Sequence, residues 1–136
     1  MLRRILSLGA IAAVVLVVTA ACVRTARPAP RVPQALLKTW FHSFEEDQGT
    51  IEVYRPRGFS FPPARGRNGF AIVRDGSFIQ YNIGPADGIE EIPGTWTLEA
   101  DDVLLIRLRR VGSTGQRTYR MQIVSVSPDT LKIQHL

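Results

Sequence analysis

Nucleophilic, metal-binding and acid–base chemistry each needs particular side chains, and this chain offers them sparsely. Its 136 residues contain one cysteine, Cys22, and two histidines, His42 and His135. A single cysteine excludes an internal disulfide. Two histidines with scattered carboxylates fall short of the ligand set of a zinc site. The carboxylates come as adjacent pairs, Glu45-Glu46, Glu90-Glu91 and Asp101-Asp102. On a strand, neighbours point to opposite faces, whereas an acid–base couple must flank one bond. The Asp101-Asp102 pair suits a turn. There is no Gly-x-Ser-x-Gly elbow, no phosphate-binding loop and no cysteine–histidine pairing. The expectation is a non-catalytic protein with no metal and no cofactor.

The most distinctive polar feature is Arg65-Gly-Arg67-Asn-Gly69, with Arg55 and Arg57 nearby. Glycines allow close backbone approach, and guanidinium groups grip carboxylate or phosphate through two bonds. An anionic ligand or lipid headgroup would suit this loop. The competing reading makes it a long turn whose arginines pair with Glu45, Glu46, Asp47 or Glu52. Gly66-Arg-Asn-Gly69 also matches the Gly-x-x-Gly loop of some RNA-binding modules, but those need flanking helices that the pattern does not offer.

The formal charge of +5 points at first to nucleic acid or an anionic membrane. Its distribution decides otherwise. Arg3, Arg4, Arg24, Arg27 and Arg31 all precede residue 34, where there is no acidic residue; the rest of the chain balances twelve basic against twelve acidic side chains. The body is neutral, and no nucleic-acid partner is expected.

That N-terminal segment reads as an address. Arg3 and Arg4 precede an apolar run over residues 5–18, then the small residues Thr19-Ala20-Ala21 and Cys22. The order is that of a secretory signal, and the run is shorter than the roughly 20 residues that span a bilayer. With Ala20-Ala21-Cys22 it resembles a bacterial lipoprotein signal, although Thr19 stands where that pattern commonly has an aliphatic residue. The resemblance implies that Cys22 receives a diacylglyceryl group on sulfur, becomes the mature N-terminus and is then often N-acylated. Two or three acyl chains, palmitate among the usual ones, anchor a protein durably at about 0.8 kcal/mol per buried methylene. Two other readings leave the cysteine unexplained: cleavage after Ala20, releasing a soluble protein, or retention of the segment as a helix. The resemblance further implies attachment to the cell envelope. Val23 is not the aspartate of inner-membrane retention, which favours the outer membrane in a Gram-negative cell.

Residues 23–33, with Pro28, Pro30 and Pro33, favour an extended, semi-rigid tether. At about 3.1 Å per residue it would hold a domain roughly 30 Å from the membrane. Its arginines would meet anionic headgroups at about 1 kcal/mol each, or simply keep the tether soluble.

The remainder must position whatever function there is. Short alternating runs at residues 39–45, 50–55, 70–73, 78–81, 95–98, 103–108, 118–126 and 131–136 are separated by turn signals, of which Asp75-Gly76 is the strongest. Gly112-Ser-Thr-Gly115 marks a further turn. Leu37, Trp40, Phe41 and Phe44 fall at helical spacing, so residues 34–38 are expected to make a short helical turn before the first strand. Within residues 118–126, Tyr119, Met121 and Ile123 share a face. The fold class is all-β: a small antiparallel up-and-down barrel of about eight strands. The domains are a signal at 1–21, a tether at 22–37 and a barrel at 38–136.

The segments Trp40-Phe-His-Ser-Phe-Glu-Glu46, Tyr54-Arg-Pro56, Phe61-Pro-Pro-Ala-Arg-Gly-Arg67, Asp75-Gly76 and Gly94-Thr-Trp96 together resemble uncharacterised lipocalin-like domains. Lipocalins carry Gly-x-Trp on their first strand; here it falls mid-chain. The resemblance implies a barrel that holds a small apolar or amphipathic ligand. On that basis Trp40, Tyr81 and Trp96 are expected to line the pocket, with Arg65 and Arg67 at its mouth. Six Phe, two Trp and three Tyr are also enough to fill much of so short a barrel. A filled barrel would instead be an interaction module docking another envelope protein.

Overall fold

The computed structural model describes residues 28–109 and 116–136. Cys22, the signal and the turn expected at 112–115 lie outside the described residues. Eight antiparallel strands close into an up-and-down barrel: β1 Thr39–His42, β2 Glu52–Pro56, β3 Gly69–Ile72, β4 Ser77–Ile83, β5 Ile89–Leu98, β6 Val103–Arg109, β7 Gln116–Val126 and β8 Leu131–His135. The order round the barrel is β1-β2-β8-β7-β6-β5-β4-β3, with β3 returning to β1. Every pair of strands consecutive in the chain is adjacent except β2 and β3, which flank β1 on its two sides. Residues 57–68 therefore form a strap that runs back along β1 before β3 begins.

Local chemistry accounts for the elements. Asp75-Gly76 makes the expected hairpin, with Gly76 at φ +93 and the Asp75 carboxylate accepting from the Ser77 amide at 2.8 Å. Asp101 and Asp102 adopt φ of 60 and 57, a left-handed turn that aspartate tolerates better than most residues. β1 stops at His42, short of the expected 45, because Phe44–Glu46 forms a helical turn that aims Glu45 and Glu46 at arginines. β5 begins at Ile89 rather than 95 and carries Pro93. The ladder to β6 starts only at Gly94↔Leu108, so Pro93 sits at an edge position where a missing N–H is tolerated.

The alternation of side chains sends Trp40, Phe70, Ile72, Phe78, Trp96, Leu104, Ile106, Leu108, Met121, Ile123, Leu131 and Ile133 into one core. The end of the barrel where β1 starts is closed. There the helical turn Gln34–Leu36 inserts a fully buried Leu36, whose carbonyl accepts from the Trp40 indole Nε1 at 3.0 Å. Val32 and Leu37 pack on the same core. Lys38 and Arg74 tie this end together through the Pro128 carbonyl and the Gln34 side chain. The barrel domain thus starts before residue 38: residues 32–37, expected to belong to the tether, plug the barrel.

Removing a buried leucine side chain costs about 2–5 kcal/mol. Leu36→Ala should lower the unfolding free energy of the barrel by an amount in that range, read as an earlier denaturant midpoint. An unchanged midpoint would remove Leu36 from the core.

Candidate functional site

At the opposite end the interior is not filled. A cavity of about 340 Å³ opens there, lined by His42, Glu52, Tyr54, Asn68, Gly69, Phe70, Gln80, Tyr81, Asn82, Arg117, Tyr119, Met121 and His135. Strand parity explains the lining. On β7, Arg117, Tyr119 and Met121 are two apart and descend one wall from mouth to floor. On β4, Asn82 and Gln80 stand above the core residue Phe78; on β2, Glu52 stands above Tyr54. Phe70 and Met121 make the apolar floor.

The wall groups hold one another. The Tyr54 hydroxyl donates to Glu52 Oε2 at 2.8 Å, and His135 Nε2 lies 3.3 Å from the same oxygen. The Tyr119 hydroxyl donates to Gln80 Oε1 at 2.8 Å, and Gln80 Nε2 donates to Asn82 Oδ1 at 2.9 Å. His42 stacks on Tyr54 with centroids 5.0 Å apart, its Nε2 lying 2.9 Å from Asp47 Oδ2, while Asp47 Oδ1 accepts from the Val53 amide. Burial pushes the Tyr119 hydroxyl up to about 12 and raises Tyr54 further, so both phenols stay protonated. The cup is therefore a preformed set of neutral hydroxyl and amide groups around an apolar floor, with Glu52 and Arg117 as its formally charged members. Arg117 lies over the Tyr119 ring at 5.9 Å.

The expected site residues divide. Trp40 is fully buried in the core at the closed end. Trp96 is also core, its Nε1 donating to the Val73 carbonyl at 2.7 Å. Neither lines the cup. Tyr81 borders it, but its ring packs 5.9 Å from Phe41 across Gly69, in a register row of opposite parity to Trp40. Arg65 is exposed on the strap.

Arg67 is committed elsewhere. It grips Glu45 through two bonds of 2.6 and 2.8 Å, donates to the His42 and Pro62 carbonyls, and lies between the rings of Phe44 and Phe61 at 4.7 and 4.5 Å. Arg55 likewise holds Glu46 at 2.6 and 2.7 Å and reaches Thr130. These two arginines fasten the strap and the β1–β2 turn, which is the turn reading of the arginine loop. Tyr81 is the one expected site residue in the lining; those that sequence reasoning passed over include His42, Glu52, Tyr54, Gln80, Asn82, Arg117, Tyr119 and His135. Alternation back from Tyr119 and Met121 was the available signal for Arg117.

No family model, curated protein or solved structure matches this chain. Among the described residues no cluster of three or more histidine, cysteine or carboxylate side chains is arranged to hold a metal ion.

The Arg55 guanidinium holds the Glu46 carboxyl at about 2, down from its ordinary 4.5. A depressed folded-state value stabilises the fold above the unfolded value and loses that contribution as pH falls through the folded one. Denaturant midpoints should therefore decline between pH 4.5 and 2. Glu46→Gln should be the less stable protein at neutral pH, and its deficit should vanish toward the acid end of that range. A deficit independent of pH would sink the ion-pair account.

Proposed function

We propose that this chain is a lipid-anchored protein of the bacterial cell envelope whose lipocalin-like barrel binds a small amphipathic molecule in its open-ended cup. The anchor rests on the order of residues 1–22: arginines, an apolar run, small residues and Cys22. The cup carries the binding reading. It combines a concave volume in the range of small-molecule sites, an apolar floor and a few convergent polar groups. The described chain enters the barrel at the plugged end, beside Leu36, opposite the cup.

One observation favours a second reading, a module that docks another envelope protein. Ile83 and Ile89, cross-strand partners at the tip of the β4–β5 hairpin, are 44% and 66% exposed.

Native mass spectrometry of the purified protein separates the two. A reproducible small-molecule adduct, lost when Tyr119 and Gln80 are both replaced by alanine, supports the cup. A bare mass together with capture of one envelope partner, lost in Ile89→Asp, supports docking. For the anchor, Cys22→Ser should abolish labelling by fatty-acid probes and release the processed protein from membranes. Persistent labelling would place the anchor at another residue.

A further inference from the structure

The two charged groups of the cup differ in what they already hold. Glu52 has the Tyr54 hydroxyl and His135 on one carboxylate oxygen. His42 is engaged by Asp47. The Arg117 guanidinium, on the wall at the mouth, lies over the Tyr119 ring and makes no ion pair and no side-chain hydrogen bond with any described residue. Arg55, Arg67 and Arg120, by contrast, each hold a carboxylate. Asn68 and Asn82 also keep free amide N–H groups, but Arg117 supplies the one cationic donor set among them, a guanidinium fork, the group best matched to a carboxylate or phosphate.

Below Arg117 the lining is aromatic and amide rather than aliphatic. Tyr119, Tyr54 and Phe70 present rings, and Gln80 and Asn82 line the wall between them. An acyl chain buried there would cover the Arg117 guanidinium and the Asn82 amide N–H groups without replacing their hydrogen bonds to water. A flat ring, by contrast, suits aromatic walls.

From this we propose that the cup takes a small, water-soluble organic anion, its ring between Tyr54 and Tyr119 and its carboxylate or phosphate on Arg117. The inference rests on the binding reading above and deepens it by naming the ligand class.

The test uses the full-length protein in nanodiscs and three probes: phenylacetate, phenethylamine with the same ring and the opposite charge, and dodecanoate. Binding is read from amide resonances of residues 80–82 and 117–121. Phenylacetate should shift them, should bind more tightly than either other probe, and should weaken at least tenfold in Arg117→Gln. Arg117 is exposed, and unchanged resonances at the plugged end would verify that the variant is folded. Tighter binding of phenethylamine, or phenylacetate binding indifferent to Arg117→Gln, overturns the anion assignment while leaving a ligand-binding barrel. Preference for dodecanoate overturns the water-soluble ring class and likewise leaves the barrel's binding role intact. If no probe moves the cup, the ligand class falls, and the native mass spectrum alone then decides whether binding itself survives.

Discussion

Closure of the sheet runs through one of its two shortest members. β1 is four residues long and must satisfy two neighbours, β2 through Trp40↔Pro56 and β3 through Trp40↔Phe70. Without it β2 and β3 would expose unpaired edges, the feature that closed barrels abolish. The approach of β3 to β1 is so close that a β-carbon at Gly69 would run into the Trp40 carbonyl oxygen. The Phe41 and Tyr81 rings meet across that glycine, covering the gap a missing side chain leaves. On the inner side, in the neighbouring row, the Trp40 indole is bonded to the plug at Leu36. One pairing thus links closure, plug and outer cover.

The rest of the interior follows from strand length. An eight-stranded barrel is narrow enough to be filled by its own side chains, and at the plugged end Trp40, Phe78, Leu104 and Leu131 fill it completely. β4, β5 and β7 are longer than β1 and β3, reaching beyond them toward the open end. The walls rise there without enough apolar side chains to meet across the middle. Polar groups are tolerable in that position because they bond to one another before any ligand arrives. No buried side-chain nitrogen or oxygen among the described residues lacks a partner.

The arginines show how little residue type alone decides. Arg55 and Arg67 lie beside the helical turn Phe44–Glu46, and both are absorbed by its carboxylates. Arg67 is additionally layered between two phenylalanine rings, where a cation contributes about 0.5–2 kcal/mol depending on its desolvation. Arg117 stands on a strand whose inward neighbours are tyrosine and methionine, far in the chain from any turn that would supply it a carboxylate. The same guanidinium group fastens structure in one place and is left without a carboxylate in the other.

Periodicity and turn chemistry are local, and the local part of this protein was readable. Short apolar or alternating runs marked the eight strands, Asp75-Gly76 and Asp101-Asp102 set turns, and the shared face of Tyr119, Met121 and Ile123 was visible in spacing alone. The site was not, because a cup exists only where several strands end at different heights. Trp40 and Trp96 are the residues that composition would assign to a pocket, yet both lie in the filled core, while His42, Gln80 and Arg117 converge on the cup from three strands distant in the chain. The boundary of the domain also escaped the sequence, since Leu36 counts as core only once Trp40 lies against it. The sequence by itself determined an all-β chain with a segment resembling a lipid-anchor signal in front. Tertiary structure decided which end of the barrel is closed, that the arginine on the cup's wall is left without a carboxylate, and where the interior stays open, since each depends on contacts between residues far apart in the chain.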